Sequence, residues 1–558
     1  MPAVLGNPVT LIIVAATVLG LALRLYQLSR PGFLLSVNEY DDGPYFGSAV
    51  RLVHGVPPYR GFILVQPPGI TLLMVPAAMA SKVAGTAWGM AAGRILTALA
   101  SAAGIVLAGW LVRHRGALAA LITCGVLAVY PDSVAAAHTV LVEPWLVLFC
   151  LAGAVAAVDR DRLASGWRLA LGGAAFGFAG AVESWAVLPV LVLTGLCWCR
   201  PRGAAAPWNP RWPGGLPRAA VFAGGAAAGF AVPVLPFAFL TPRRFYDSLI
   251  VAQVGPRAGV SRVPVFGRLQ EMAGLSYAHF PLQFGPGLRL PGHTVIVLTV
   301  AVLVLLAVGG PAVAALAAGV TPAPLDWFAV LTLALVTAIF LWPSQFHYHF
   351  CAFLAPFLGL AIALPVSTLA AAYPRAAGRP ARAVAAVTAV MLLQFAAIGV
   401  AAEGKLKPDV TPAAIAAGRR LIPPGSCVAT DEVSLVLLAD RFTASAPGCS
   451  PVVDGLGTDL ALSGGLKPAT GAGRVPAVAA VWWQAFNHAR FVWLSRLNHR
   501  RIAWTLALRG YFRSHFTRVL TDQRGDALYR RAAPGGGVLG QAGRGGPVVT
   551  QRSQRSGG

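Results

Sequence analysis

Long apolar stretches separated by short polar ones dominate residues 1–402 of the chain. A helix needs about 20 residues to cross the hydrocarbon layer of a bilayer, and eleven stretches reach or approach that length. They cover residues 8–27, 95–112, 116–131, 136–157, 169–182, 185–199, 219–240, 293–309, 326–343, 350–371 and 383–402. The pattern predicts a polytopic all-α membrane domain with about 11 transmembrane helices. The proline-containing stretch 310–325 leaves a further pair of half-spans open.

After residue 402 the apolar stretches shorten and charged residues become more frequent. Residues 427–431 and 491–495 are predicted as buried strands, and residues 411–420 and 477–489 as helices. Residues 516–522 and 527–531 flank a turn-like segment and predict a terminal hairpin. The pattern predicts a small α/β domain over residues 403–532, outside the membrane. Residues 533–558 are basic, Gly-rich and poor in large apolar residues, which predicts a disordered tail.

Composition supports the membrane assignment. The chain is 56% hydrophobic and 11% charged, with a mean hydropathy of +0.67, whereas soluble proteins carry roughly 25% charged residues. The net charge of +24 could indicate a nucleic-acid partner. However, many of the arginines lie in short loops between apolar stretches and in the tail, where they fix membrane topology. We therefore expect the lipid bilayer, and no nucleic acid, as a partner.

The placement of arginines also predicts an orientation in the cell membrane, because short cytoplasmic loops are enriched in Lys and Arg. With a cytoplasmic N-terminus, the inside loops hold Arg113 and Arg115; Arg160, Arg162 and Arg168; Arg200, Arg202, Arg211 and Arg218; and Arg375, Arg379 and Arg382. An odd number of spans then puts three regions outside. These are the first outside loop, 28–94, the second large outside loop, 241–292, and the C-terminal domain.

The first outside loop contains a local excess of acid. Glu39, Asp41 and Asp42 lie within four residues, although the whole chain has only 20 acidic residues. Carboxylates beside a bilayer usually face water or a protein cavity. The loop continues with polar and aromatic residues in an apolar-rich context: Tyr45, Arg51, Tyr59, Arg60 and Gln66. The loop is therefore a candidate site, with a simple solvated turn as the alternative.

Further polar residues are predicted on the same side of the membrane. Glu143 lies near the outer end of a span, where it is either part of the site or a structural hydrogen-bonding group between helices. Arg243 and Arg244 begin the second outside loop and are either phosphate ligands or interface anchors. His347 and His349 are either site residues or part of an interfacial aromatic belt.

Several of these motifs together resemble the GT-C superfamily of integral-membrane glycosyltransferases. The resemblance is to the branch of protein O-mannosyltransferases and lipid A aminoarabinose transferases (family 39). That branch carries an Asp-Glu pair and then an aromatic residue in the first outside loop, which is similar to Asp41-Asp42-Gly43-Pro44-Tyr45. Weaker similarities are Gln66-Pro67-Pro68-Gly69, Arg94 to Arg115, Glu143-Pro144-Trp145 and His347-Tyr348-His349. The layout is similar over residues 8–402. The chain departs from the family at Glu183, where Lys is usual, and in its C-terminal domain.

The resemblance implies transfer of a hexosyl or pentosyl unit from a polyprenyl-phosphate donor to an extracytoplasmic acceptor, which is a cell-envelope glycan, a lipid or a protein. Asp41 is the candidate general base, and Asp42 is expected to orient the acceptor or to bind a sugar hydroxyl. The lipid phosphate needs a cationic partner, for which the candidates are Arg51, Arg60, Arg243, Arg244, His347 and His349. Glu39, Tyr45, Tyr59, Gln66 and Glu143 are further candidates for substrate binding.

Two other interpretations and the cofactor requirement stay open at this stage. A polytopic transporter or lipid flippase without transferase activity is the main alternative, although the chain shows no matching halves of the kind that many transporters have. A membrane scaffold with an outside binding domain is the other alternative. We expect no cofactor and no obligatory metal, while the carboxylates leave a divalent cation open.

Two of the seven cysteines lie in a different kind of sequence from the other five. Cys427 and Cys449 lie in the polar C-terminal domain, whereas the others lie in or beside apolar stretches. In an oxidising compartment outside the cell membrane, disulfides persist. We therefore predict a Cys427–Cys449 disulfide, with two separately buried thiols as the alternative.

Overall fold

The computed structural model describes residues 7–199, 218–254, 263–277, 282–284, 288–342, 346–372, 374–444, 448–449 and 452–532. The predicted tail, 533–558, lies outside these residues, as do Arg200, Arg202 and Arg211 of one predicted inside loop. Up to residue 405 the described chain is mainly helical. Its helices are α1 Pro8–Ser29, α2 Asp42–Val53, α3 Gly69–Leu73, α4 Val75–Ala84, α5 Thr86–Val112, α6 Ala117–Val129, α7 Pro131–Ala136, α8 Glu143–Ala157, α9 Trp167–Val182, α10 Val187–Trp198, α11 Arg218–Leu240, α12 Pro242–Tyr246, α13 Ala252–Val254, α14 Val265–Met272, α15 Gly292–Val304, α16 Gly310–Ala318, α17 Pro324–Leu341, α18 Cys351–Ala372 and α19 Pro374–Lys405.

Seven helical stretches in the described part of the chain are long and apolar enough to cross a membrane. They are Pro8–Ser29, Thr86–Arg115, Arg218–Leu240, Gly292–Ala318, Pro324–Leu341, Tyr348–Ala372 and Ala381–Lys405. The other four predicted spans coincide with shorter apolar helices: Ala117–Val129, Glu143–Ala157, Trp167–Val182 and Ser184–Trp198. The predicted span 136–157 begins later than expected, because Pro144 stands in the first turn of α8, where proline favours a helix start.

Helices α9 and α11 pack closely through glycines. A Cβ atom added to Gly173 would lie 2.1 Å from the carbonyl oxygen of Phe222, and one added to Gly229 would lie 2.1 Å from that of Ala174. Small residues at regular helical spacing let two backbones approach in this way, as in membrane helix pairs. The bundle is therefore held by backbone-to-backbone packing at this point.

Two short hairpins also lie within the first part of the chain. Strand β1 Val158–Asp159 pairs antiparallel with β2 Arg162–Leu163, between α8 and α9. Strand β3 Leu282–Phe284 pairs antiparallel with β4 Leu288–Leu290, shortly before α15. Both are too short to add a layer to the bundle.

The first loop between α1 and α5 folds into three short helices. The apolar pattern predicts a short helix over residues 43–54, which is present as α2. It also predicts a second short helix at the membrane surface over residues 68–83, but this stretch forms two helices, α3 and α4, which meet at Met74. Pro76 lies in the first turn of α4, and because proline has no backbone N–H it favours a helix start at this point.

The C-terminal part contains a four-stranded sheet in the order β5-β6-β8-β7. Its strands are β5 Val428–Thr430, β6 Phe491–Leu494, β7 Phe516–Thr521 and β8 Ala527–Arg531. Its helices are α20 Pro412–Leu421, α21 Val433–Leu438, α22 Gly455–Ser463, α23 Pro476–His488, α24 Asn498–Arg501 and α25 Leu506–His515. Strands β5 and β6 are parallel, and every residue of both is buried, as expected for parallel strands covered on both faces. The predicted terminal hairpin is present as β7 and β8.

The predicted disulfide is also confirmed. Cys427 and Cys449 are paired, with their Cα atoms 5.7 Å apart, which lies inside the range that a disulfide can bridge. The bond ties the start of β5 to the segment that follows α21. The alternative of two separately buried thiols is wrong.

The sheet domain packs directly on the first loop. The hydroxyl of Thr86, at the start of α5, donates to the carbonyl oxygen of Leu437 at 2.5 Å. Val37 N donates to the carbonyl oxygen of Val410 at 3.4 Å. The side chains of α2 and α21 share one apolar core with strands β5 and β6. The acidic loop is therefore enclosed between the helical bundle and the C-terminal domain.

Candidate active site

Asp42 is fully buried in an ion pair with Arg94 of α5. Nε of Arg94 donates to Oδ2 of Asp42 at 2.9 Å, and its Nη2 donates to the same oxygen. The backbone N–H of Val140 donates to the other carboxylate oxygen at 2.8 Å. The remaining donors of Arg94 bind carbonyl oxygens of the preceding loop, those of Phe33, Leu34 and Ser36. This geometry favours a positioning role for Asp42 over the predicted contact with an acceptor.

Asp41, the adjacent residue, is in a different environment. It is the N-cap residue of α2, but its side chain makes no capping hydrogen bond. Its carboxylate is half-buried and accepts no hydrogen bond within the described residues. Burial raises the pKa of Asp41 from 3.8 to about 7; His349 opposes this rise, while Glu39, Asp454 and Glu143 add to it. A carboxylate with this pKa can act as a general base near neutral pH.

His349 and Glu143 form a buried pair beside Asp41. Nδ1 of His349 lies 2.6 Å from Oε1 of Glu143, although the two residues are 206 positions apart. Glu143 begins α8, and His349 lies in a short helical turn just before α18. The second oxygen of Glu143 is buried without a hydrogen-bond partner within the described residues. Both predicted residues are therefore brought to the same place as Asp41.

Other predicted residues order the loop around Asp41. The hydroxyl of Tyr348 donates to Glu39 at 3.0 Å. The side-chain amide of Gln66 donates to the hydroxyl of Tyr45 at 3.1 Å, and the hydroxyl of Tyr59 donates to the backbone carbonyl of Gln66 at 2.5 Å. Tyr59 is completely buried, so its position indicates a structural role instead of the predicted substrate contact.

The predicted cations are not all near Asp41. Arg60, Arg243 and Arg244 are exposed, and Arg244 donates to the backbone carbonyl of Arg60 at 3.1 Å, which links the two outside loops. Arg51 is half-buried near the end of α2, and its Nε has no hydrogen-bond partner among the described residues. None of the four is among the largest influences on the pKa of Asp41.

His347 and His349, unlike these arginines, lie at the acidic site. The ring of His347 stacks on that of His349, with centroids 5.5 Å apart, and His349 is the cation that acts on Asp41. His347 is exposed while His349 is buried. The histidine pair thus extends from the surface to the acidic site.

Four residues near the site were not predicted to be part of it: Tyr40, Arg94, Glu183 and Asp454. Arg94 had a sequence signal, because an arginine inside an apolar stretch requires a buried partner. Glu183 is buried and accepts from the backbone N–H of Ser184 at 2.8 Å. Asp454 belongs to the C-terminal domain, 414 positions from Tyr40, to which it is hydrogen-bonded. No local pattern could have indicated that contact.

The described residues contain no group of three or more His, Cys, Asp or Glu side chains that could hold a metal ion. Glu143 is paired with His349 and Asp42 with Arg94, so these two carboxylates already have cationic partners. The expectation that no metal is obligatory remains a prediction.

Comparisons with known proteins identify the fold. No protein-family model matches the chain, and no curated protein sequence does. Among solved structures, ArnT from Cupriavidus metallidurans in the apo state matches with a TM-score of 0.56 and 15% identity, over 93% of this chain and 97% of that one. The same enzyme bound to undecaprenyl phosphate gives a TM-score of 0.55 and 16% identity, over 93% and 98%.

A second enzyme matches over part of its length. The oligosaccharyltransferase of Archaeoglobus fulgidus, in complex with Zn and sulfate, gives a TM-score of 0.51 and 13% identity, over 93% of this chain and 73% of that one. ArnT, a lipid A aminoarabinose transferase, and this oligosaccharyltransferase are GT-C enzymes. The chain therefore has the fold of the GT-C glycosyltransferases, as the sequence motifs predicted. Within that class, the ArnT structures match over nearly their whole length.

Proposed function

We propose that this protein is a membrane glycosyltransferase that moves a sugar from a polyprenyl-phosphate donor to an acceptor outside the cytoplasm. The observation that carries the proposal is the half-buried carboxylate of Asp41, which has no ion-pair or hydrogen-bond partner in the described part of the chain and lies at the acidic end of a GT-C-type bundle. The proposed orientation has the N-terminus in the cytoplasm, with the first loop and the C-terminal domain together on the other side.

The proposed reaction uses Asp41 as the general base. As the acceptor hydroxyl attacks the anomeric carbon, its proton passes to the Asp41 carboxylate, and the bond between that carbon and the phosphate oxygen breaks. The electron pair leaves with the lipid phosphate. With a pKa of about 7, Asp41 is a stronger base than an ordinary Asp, yet a large fraction of it is ionised at neutral pH.

Charge on the departing phosphate requires a cation or hydrogen-bond donors. We assign this role to His349 as the cation and to His347 as a hydrogen-bond donor, because their stacked rings extend from the surface to the neighbourhood of Asp41. Desolvation and the nearby charge of His349 lower the pKa of His347 to about 4, so its ring is neutral near pH 7. Arg51 is a second candidate, since its Nε is buried without a partner within the described residues. Arg243 and Arg244 are exposed on α12 and are better suited to anchoring the outside loops at the membrane surface.

The ligands named for the structural neighbours support the same class of donor. ArnT was crystallised with undecaprenyl phosphate, and the Archaeoglobus fulgidus oligosaccharyltransferase AglB with dolichol-phosphate, at a TM-score of 0.50. Both are polyprenyl-type lipid phosphates. We extend this donor class to the present chain, and leave the sugar and the acceptor to experiment.

The test is incubation of the purified protein with a panel of polyprenyl-phosphate sugars and a lipid extract, followed by mass spectrometry of the products. We expect a new glycosylated species and free polyprenyl phosphate with the wild type, and neither with Asp41→Asn. Asp159→Asn is the matched control, because Asp159 is an exposed Asp that is paired with Arg168. Movement of intact donor across proteoliposomes without any transfer would instead support the flippase alternative.

A further inference from the structure

Tyr40, the residue directly before Asp41, is held by the C-terminal domain. Its hydroxyl donates to Oδ1 of Asp454 at 3.1 Å and accepts from the backbone N–H of Leu456 at 3.0 Å. Asp454 is itself fixed, because it is the N-cap of α22 and accepts from the backbone N–H of Gly457 at 2.7 Å. The phenol therefore binds at a rigid helix start in the other domain.

The face of the Tyr40 ring also contacts the C-terminal domain. The guanidinium carbon of Arg501 lies 4.3 Å from the centroid of the ring, within the range of a cation–π contact. Arg501 forms an ion pair with Glu432, and a carboxylate oxygen of Asp431 lies 4.0 Å from its Nη1. We call Tyr40, Asp454 and Arg501 the Tyr40 clamp. It joins the loop to two separate segments of the C-terminal domain, the start of α22 and the end of α24.

The chain on the other side of Asp41 also contacts this domain. A Cβ atom added to Gly43 would lie 2.6 Å from the backbone nitrogen of Ser434. Only glycine therefore allows α2 to approach α21 as it does. Asp41 lies between two points that the C-terminal domain fixes, and its own carboxylate is not held by a hydrogen bond within the described residues.

We infer that the C-terminal domain positions the carboxylate of Asp41 through the Tyr40 clamp, so that Tyr40, Asp454 and Arg501 are positioning residues of the site. The physical reason is that no described residue anchors the Asp41 side chain by a hydrogen bond, so its location depends on the backbone on either side. Displacement of a reacting group by about 1 Å can lower a rate roughly a hundredfold. The consequence for catalysis rests on the proposed function, whereas the mechanical link does not.

The first test measures hydrogen exchange of the full-length protein in lipid nanodiscs. In Tyr40→Phe and in Asp454→Ala we expect peptides covering residues 38–46 to exchange roughly two- to tenfold faster, because each variant loses the hydrogen bond between Tyr40 and Asp454. The hairpin of β7 and β8 should be unchanged. The matched control is Tyr511→Phe, which removes another tyrosine hydroxyl of the same domain, bonded to Asn487 at 3.0 Å, and should leave residues 38–46 as in the wild type.

The second test follows Asp41 itself with a water-soluble carbodiimide and a small amine, read by peptide mass as a function of pH. Four charged groups face Asp41: Glu39 from its own loop, Glu143 from α8, His349 from the turn before α18 and Asp454 from the C-terminal domain. Tyr40→Phe preserves all four. Looser packing should admit water and lower the pH midpoint for labelling of Asp41, while Tyr511→Phe should not change it.

These readouts separate the inference from the proposed function. Unchanged exchange over residues 38–46 in both clamp variants would overturn the inference, whether or not the protein transfers sugar. Where the wild type is active, we expect Tyr40→Phe to lower kcat roughly tenfold with KM within about twofold. Faster hydrogen exchange over residues 38–46 together with an unchanged kcat would also overturn the inference. A wild type without transfer activity would remove the proposed function and leave the exchange test decisive.

Discussion

The two ends of helix α5 differ in how their charged side chains are paired. At the end nearest the first loop, Asp42 is paired with Arg94, but several other carboxylates gather near His349: Glu39, Asp41, Glu143, Glu183 and Asp454. At its far end, about 30 Å from Arg94 at a rise of about 1.5 Å per residue, Arg115 pairs with Asp161 at 2.7 Å and with Asp326 at 3.1 Å, and His114 pairs with Asp161 at 2.8 Å. The first cluster has a surplus of acid, whereas the second is internally paired.

This difference separates charges that hold the fold from a charge that is available for chemistry. The far cluster lines a cavity of about 570 Å³, but its side chains are already engaged with one another and with Thr368. Groups with strongly shifted pKa values are frequent at active sites. Asp41 has such a pKa, whereas its neighbour Asp42 is held in the ion pair with Arg94. Four experiments test this contrast.

The largest effect is expected for Asp41→Asn. Loss of a positioned general base lowers a rate by about 10²–10⁴. Folding should be little changed, because within the described residues Asp41 accepts no hydrogen bond that Asn would lose. Sugar transfer and thermal unfolding would be measured in parallel. Transfer at the wild-type rate would show that the unpaired carboxylate is not the base.

Asp42→Asn should lower the free energy of unfolding. Removing one partner of a buried ion pair costs about 3–5 kcal/mol, because Arg94 would keep its charge without a carboxylate. The free energy of unfolding in detergent measures this effect. The double variant Asp42→Leu with Arg94→Met removes both charges and should be clearly more stable than the single variant. If Asp42→Asn folded as stably as the wild type, the ion pair would not hold the loop.

Activity should depend on the ionisation of Asp41. A general base must be deprotonated, and the pKa of Asp41 is raised to about 7. The rate should therefore be constant above that pH and fall as pH decreases through it, reaching roughly one hundredth at about pH 5. A pH–rate profile at saturating donor tests this. A rate that stays flat down to about pH 5 would place the pKa of the base near the ordinary value for Asp.

The smallest effect is expected at the far end of α5. Asp161→Asn weakens a half-exposed cluster in which Arg115 keeps its contacts with Asp326 and Thr368. Ion pairs of this kind contribute about 0–1 kcal/mol. Transfer should continue at the wild-type rate, with a small decrease in unfolding temperature. A large loss of transfer in this variant would mean that the two ends of α5 are coupled, and the contrast between them would no longer hold.

Several features followed from the sequence because their physical causes are local. Apolar stretches of 15 to 30 residues predict membrane helices whatever they pack against, and composition alone excluded a soluble protein. The turn-like segment between residues 516–522 and 527–531 predicted a hairpin, since a short turn brings the two flanking strands together. The concentration of Glu39, Asp41 and Asp42 indicated the site, because carboxylates are rare in this chain and costly beside a bilayer.

Tertiary structure alone decided which of the two adjacent aspartates is free. Asp42 is paired because Arg94 of α5 and the backbone of Val140 meet it, and neither proximity can be read from local pattern. Likewise, Asp454 lies 414 positions from its partner Tyr40, and Glu143 lies 206 positions from His349. A pKa depends on burial and on nearby charge, and for Asp41 both are contributed by segments that only the folded chain brings together.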